Sequence, residues 1–64
     1  MEKTVEDMIA HIKMLRNGGF HSMADEAVWS FEKMAKGDNS DGNRHRYKGW
    51  SDSDFQAVLD GLKK

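Results

Sequence analysis

The segment SMADEAVWSFEKMAK, residues 22–36, has the apolar spacing of an amphipathic helix. Its apolar positions repeat every three or four residues and are Ala24, Ala27, Val28, Phe31, Met34 and Ala35. At about 100° per residue, Trp29 lies roughly 165° from the middle of this apolar face, among charged residues. Most of the stabilisation that a Trp side chain provides comes from burial. We therefore expect a second contact surface at Trp29, covered either by a third helix of the same chain or by a second chain.

Two other segments, at about 5–16 and 52–62, have the same helical spacing. The apolar residues of the first are Val5, Met8, Ile9, Ile12 and Leu15, and those of the second are Phe55, Val58, Leu59 and Leu62. Each of the three segments has a hydroxyl residue at its start and an Asp three positions later; the pairs are Thr4 and Asp7, Ser22 and Asp25, and Ser51 and Asp54. In such a capping box the hydroxyl and the acid each accept a hydrogen bond from the backbone of the first turn. The sequence therefore predicts three capped helices.

The connections predict how these helices are arranged. A Gly-containing turn at residues 17–19 ends the first helix and Gly37 ends the second, because Gly adopts the left-handed C′ conformation without strain. A connection this short predicts an antiparallel αα-hairpin, with Phe20 filling its open end. The polar segment 37–49 is predicted to be a flexible loop, mobile at least through residues 38–43.

The third helix is predicted to begin with a hydrophobic staple. Trp50 and Phe55 fall at the N′ and N4 positions, so their side chains are expected to pack together. The complete prediction is a single all-α domain over residues 1–64. It consists of an αα-hairpin at about 5–16 and 22–36 and, after the polar loop, a third short helix at about 52–62.

The chain has 64 residues, no Cys and a formal net charge of −1. A chain this short buries only about 60% of the surface that its unfolded form exposes, so its stability is marginal. Small domains commonly gain stability from disulfides, a metal or oligomerisation, and the lack of Cys excludes the first. We therefore expect a helical homodimer. No apolar run approaches the ~20 residues that span a bilayer and no signal peptide is recognisable, so we expect a soluble cytoplasmic protein without membrane contact.

Most charged residues have a structural explanation, because acids open the helices and bases close them, as the helix dipole favours. One cluster remains, RHRYKGW at residues 44–50. This cluster has three interpretations. In the first it is a solvated loop that Tyr47 and Trp50 anchor to the core. In the second it is a contact for an acidic protein surface, in which Arg is a common hot spot. In the third interpretation it is a nucleic-acid contact, with cations on phosphates and aromatic rings stacked on bases.

No residue pattern indicates catalysis or metal binding. His11, His21 and His45 lie at no recognised ligand spacing, and residues 38–42 lack the first and last ligands of a calcium loop. No nucleophile is placed beside a base. We therefore expect a protein that is not an enzyme, without catalytic residues, metals or cofactors. A helix-turn-helix interpretation of the hairpin is disfavoured, because its second helix carries three acids that phosphates repel.

The predicted function is therefore binding. The interface candidates are the apolar residues Trp29, Met14 and Met23 and a second contact patch of Arg44, Arg46, Tyr47 and Trp50. The leading hypothesis is a non-enzymatic helical interaction module that forms a homodimer and modulates a partner protein. The alternative is a small nucleic-acid-binding regulator that uses residues 44–50.

In its size, lack of Cys, Met content and compact capped helices, the chain resembles the small accessory proteins of temperate lambda-like bacteriophages. The resemblance implies a bacterial host cytoplasm and a role in modulating a host or phage process, with a host or phage protein as the partner. It rests on general character and assigns no functional residue.

Overall fold

The computed structural model describes residues 3–38, 40 and 44–63. It contains three α-helices, α1 (Val5–Asn17), α2 (His21–Ala35) and α3 (Asp52–Leu62), with a short 3₁₀ helix at Arg44–Arg46. This part of the chain has no strand, which confirms the predicted all-α fold of a helical hairpin followed by a third helix. Residues 39 and 41–43, part of the loop predicted to be mobile, lie outside the described residues.

The capping boxes predicted for α1 and α3 are confirmed. Thr4 Oγ1 accepts a hydrogen bond from the Asp7 amide at 3.1 Å, and the Asp7 carboxylate accepts one from the Thr4 amide at 3.3 Å. At α3 the Asp54 amide donates to Ser51 Oγ at 3.3 Å, and the Ser51 amide donates to the Asp54 carboxylate at 2.8 Å. Each box therefore satisfies two backbone N–H groups, one of them an amide of the first helical turn.

The capping box predicted for α2 is wrong. The helix begins at His21 with Phe20 at the N-cap, and no side chain caps it. The reason lies in the preceding turn, where the Phe20 amide still donates to the last turn of α1, to Leu15 O at 2.8 Å. The Phe20 carbonyl already accepts the first hydrogen bond of α2, from the Ala24 amide at 3.0 Å. The connection is so tight that α2 starts before Ser22.

Each of the two hairpin helices is followed by a Gly in the left-handed conformation that the sequence predicts. Gly19 and Gly37 have φ values of 85° and 80° at the ends of α1 and α2. The backbone amides that follow turn back onto the last helical carbonyls, from Phe20 to Leu15 and from Asp38 to Lys33. These are Schellman motifs, which satisfy carbonyl groups that the helix leaves without partners.

The core lies where the predicted apolar faces meet. Its buried residues are Ile12, Ala24, Phe31, Met34, Trp50, Phe55, Val58 and Leu59. Phe31 contacts three other aromatic rings, with centroid distances of 5.3 Å to Tyr47, 6.1 Å to Trp50 and 5.8 Å to Phe55. The predicted staple is confirmed, because Trp50 and Phe55 stack with their centroids 5.2 Å apart.

Two details of packing bear on the surface. Phe20 does not fill the open end of the hairpin as predicted. Its side chain is 57% exposed, and its ring lies against Gly18, where a Cβ would come within 3.1 Å of it. Between α1 and α3, a Cβ on Gly61 would overlap the Ile9 side chain, so Gly61 lets α3 approach α1 closely.

None of the described helices has the length and apolar content needed to cross a membrane.

The Ser residues near the starts of α2 and α3 provide a direct test of the caps. Ser51→Ala is expected to lower the free energy of unfolding by about 1 kcal/mol, because Ser51 caps α3. Ser22→Ala, the matched control, is expected to change it by less than about 0.5 kcal/mol, because Ser22 lies inside α2 and does not occupy its N-cap. Urea denaturation followed by circular dichroism measures both. Equal losses would show that Ser22 does cap α2.

Candidate functional site

The exposed large apolar side chains all belong to the hairpin. In the described part of the chain they are Met14 at 62% exposure, Phe20 at 57%, Met23 at 56% and Trp29 at 52%. By contrast, the large apolar residues of α3 are buried or half-buried against the other two helices. The four most exposed large apolar side chains of the described residues therefore lie on α1, on α2 and in the turn between them.

Trp29 lies on the side of α2 opposite to the core. We call this side the outer face of α2; by helical spacing its residues are Ser22, Asp25, Glu26, Trp29, Glu32, Lys33 and Lys36. The alternative in which the third helix covers Trp29 is wrong, because α3 packs on the buried side and leaves the indole half-exposed. The Lys33 ammonium lies 4.4 Å from the ring centroid, in cation–π geometry.

Met14 and Met23 do not share a face with Trp29. Met23 precedes Trp29 by six residues, which places the two side chains about 120° apart around α2. Met23 instead lines a groove of about 230 Å³ between α2 and the segment that contains Arg46 and Tyr47. Met14 is on α1, where its carbonyl oxygen and the Phe20 ring both lie close to Gly18. We call the exposed side chains of Met14 and Phe20 the turn patch.

The two aromatic residues of the predicted 44–50 patch belong to the core. Trp50 is only 6% exposed, and its Nε1 donates a hydrogen bond to Lys3 O at 3.1 Å. Tyr47 is half-buried against Phe31, Trp50 and Phe55. Trp50 is therefore not an exposed contact residue as predicted, and its ring is not available to stack on a base. The interpretation of Tyr47 and Trp50 as anchors fits this packing.

Arg44 holds the same segment to the start of α3. Its guanidinium contacts the Asp52 carboxylate at 2.7 Å and lies over the Phe55 ring, 5.4 Å from the centroid. Among the four residues of the predicted contact patch, Arg46 is the one that is exposed, and it forms no ion pair with another described residue.

The cations of this segment surround a cavity of about 280 Å³. We call it the cationic cavity; its lining residues are Lys3, His45, Arg46, Tyr47, Lys48 and Trp50. No carboxylate of the described residues lines it. Lys3 is not among the residues that the sequence predicts for a site, and its ammonium lies 5.2 Å from the Tyr47 ring centroid. Because Lys3 reaches the cavity through a hydrogen bond to Trp50 that spans 47 positions, no local sequence signal indicates it.

Two titratable groups of the described residues, Tyr47 and Asp38, have shifted pKa values. Burial raises the pKa of Tyr47 above its usual value, although the Arg46 charge partly opposes this. A backbone hydrogen bond from Ser40, at 2.9 Å, is the main cause that lowers the pKa of Asp38. Residues 39, 41 and 42, which belong to the segment compared with a calcium loop, lie outside the described part of the chain. Within that part, no group of three His, Asp or Glu residues is placed to hold a metal ion.

Comparison with known protein families found no model that matches this chain. Comparisons with curated proteins and with solved structures found no match either.

The burial of Tyr47, the single Tyr of the chain, predicts a loss of stability at alkaline pH. A raised pKa means that the folded state favours the neutral phenol. This contribution is complete below the unfolded pKa of about 10 and is lost as the pH rises through the folded value. The free energy of unfolding should therefore fall above pH ~10 in the wild type, and fall less in Tyr47→Phe. Tyrosinate absorbance, measured with and without denaturant, reports the shift directly. An identical titration in both conditions would contradict it.

Proposed function

We propose that the protein is a non-enzymatic helical interaction module that forms a homodimer through the outer face of α2 and modulates a partner protein. The observation that supports this proposal is the half-exposed Trp29 on a regular helix whose opposite side is packed into the core. The resemblance to accessory proteins of lambda-like bacteriophages extends the proposal to a bacterial host cytoplasm and to a host or phage protein as the partner.

The energy available at Trp29 argues for more than one contact. A Trp side chain has about 150–250 Å² to bury, so roughly 100 Å² remains exposed in this chain. At about 25 cal/mol per Å², covering it contributes about 2.5 kcal/mol, or about 5 kcal/mol for the two copies across a two-fold axis. Association costs about 4–15 kcal/mol in lost translational and rotational freedom. Trp29 therefore needs support from the charged residues around it.

Two charges of the outer face, Asp25 and Lys33, favour a second copy of this chain as the occupant. Asp25 precedes Trp29 by four residues and Lys33 follows it by four. In a two-fold, antiparallel contact of α2 with α2 centred on Trp29, a residue four positions before the axis faces one four positions after it. Asp25 of each copy then faces Lys33 of the other, which forms two opposite-charge pairs. Glu26 of each copy faces Glu32 of the other at the edges of the contact, and these like charges oppose it. The same face opposed in a parallel orientation would bring like charges together.

The present ion-pair partners of Asp25 and Lys33 compete only weakly with the proposed contact between two chains. Asp25 lies 4.0 Å from Arg16, and Lys33 lies 4.0 Å from Asp38, both at the limit of an ion pair. Pairs of this kind at the surface contribute about 0–1 kcal/mol. A standard interface buries about 800 Å² per partner, about a fifth of the 4299 Å² accessible surface of this chain. An interface of this size involves about 20–30 residues per partner, so the dimer contact would extend beyond the outer face of α2.

Removing the indole tests the dimer. Trp29→Ala is expected to weaken self-association by at least about 30-fold, the effect of a hot-spot residue that contributes about 2 kcal/mol or more. Met14→Ala, which removes a comparably exposed apolar side chain from α1, is the control and is expected to have little effect. Sedimentation equilibrium across a concentration series measures both. A wild type that stays monomeric at the highest concentration would refute the dimer, and an equal effect of Met14→Ala would refute the α2-centred contact.

A charge exchange tests the antiparallel geometry. Asp25→Lys and Lys33→Asp each oppose like charges across the axis, so each homodimer is expected to weaken by about 10-fold at low salt. In a heterodimer of the two variants, one chain is basic and the other acidic at both positions. Both contacts then join opposite charges again, and an equimolar mixture should form heterodimers with nearly wild-type affinity. Native mass spectrometry of isotope-labelled mixtures counts them. A mixture with no excess of heterodimer would exclude the antiparallel arrangement even if the protein is a dimer.

A further inference from the structure

We propose that the cationic cavity binds a phosphate group. The observation behind this proposal is the convergence of Lys3, Arg46 and Lys48 on one cavity of about 280 Å³. The three residues come from two regions of the chain about 40 positions apart, and they meet in a chain whose net charge is −1. The site is separate from the outer face of α2, so the inference does not depend on self-association.

Among the described residues, two acids at the start of α3 already have partners. Asp52 is paired with Arg44 at 2.7 Å, and Asp54 accepts the hydrogen bonds of the α3 capping box. Among residues 3–38, 40 and 44–63, no ion pair involves Lys3, Arg46 or Lys48. Within the described part of the chain, an ion pair thus neutralises one cation of the 44–48 segment, and three cations of the cavity lining are outside any ion pair.

The cavity is held in shape by buried contacts. The Trp50 indole donates to Lys3 O at 3.1 Å, and this bond keeps Lys3 against the 44–50 segment. Tyr47 packs edge-on against Phe55, and the Lys3 ammonium lies over the Tyr47 ring. A ligand therefore meets cations whose backbones are already placed, which lowers the entropy lost on binding.

The lining favours phosphate over other anions and excludes base recognition. Arg presents a planar fork of donors that matches a phosphate or carboxylate in bidentate fashion, and Lys adds point charges that suit the higher charge of phosphate. The Trp50 ring is buried against Phe31 and Phe55 and offers no free face for stacking, and the Lys3 ammonium lies over the half-buried Tyr47 ring. Binding of a nucleic acid would therefore involve its phosphates and be independent of sequence.

The source of the phosphate is either a nucleic-acid backbone or a free phosphate compound. The experiment uses the full chain with a fluorescent ten-nucleotide oligo-dT, with oligo-dA of the same length, and with AMP and inorganic phosphate as competitors. If three cations contact three phosphates, the slope of log K against log salt is about −2, and affinity falls roughly 20-fold between 50 and 200 mM salt. The two oligonucleotides should bind alike.

Single-cation variants locate the binding. Arg46→Ala and Lys48→Ala are each expected to weaken binding and to reduce the magnitude of the salt slope by about 0.7. Lys13→Ala removes the same charge from an exposed position on α1 and is expected to bind like the wild type. Trp29→Ala is expected to bind normally as well, which separates this site from the dimer contact.

The outcomes are distinct. Binding of the oligonucleotide far more tightly than AMP or inorganic phosphate identifies a nucleic-acid backbone as the source. Competition by AMP or phosphate with a similar dissociation constant identifies a free phosphate compound. The proposal is overturned if no phosphate ligand binds at 50 mM salt, if Lys13→Ala loses as much affinity as Arg46→Ala, or if poly-glutamate of equal charge binds as tightly as the oligonucleotide.

Discussion

The packing of Phe31 against Tyr47, Trp50 and Phe55 is the constraint on which the rest of this structure depends. It joins α2, the 44–50 segment and α3, and the Trp50 indole extends it to Lys3, which precedes α1, through a hydrogen bond to Lys3 O. A chain of 64 residues has few large side chains with which to build a core. Four of its aromatic residues are used in this one cluster. The remaining two, Phe20 and Trp29, are more than half exposed on the hairpin.

Interactions between residues close in sequence are predictable from the sequence. The Thr4 and Ser51 capping boxes and the Trp50–Phe55 staple each involve residues three to five positions apart, so the local sequence contains all the information needed for them. Ser22 has the same pattern but fails, because the turn geometry after Gly19 starts α2 earlier. The prediction for Phe20 fails for a related reason, since the tight turn directs its ring onto Gly18 and away from the core.

It is harder to predict from the sequence which residues come together in the candidate sites. The exposure of Trp29 follows from helical periodicity alone. The place of Lys3 in the cationic cavity does not, because it depends on a hydrogen bond to a residue 47 positions away. For Trp50 the sequence-based prediction errs in the other direction. Trp50 is close in sequence to the cations and is grouped with them, but it is buried in the core. Periodicity thus predicts which residues are left outside, whereas only the tertiary structure determines which of them meet.

The absence of a side-chain cap at α2 has a consequence for dynamics. The first amides of α2 have no intrahelical acceptor and no side-chain partner at the N-cap, whereas α1 and α3 both begin with a satisfied capping box. Helix ends that lack such partners open at low free-energy cost and exchange their amide hydrogens first. Of the three described helix starts, that of α2, next to the turn patch, is therefore expected to open and exchange its amide hydrogens before the capped starts of α1 and α3. The aromatic cluster near the start of α3 keeps the rest of the fold in one conformation.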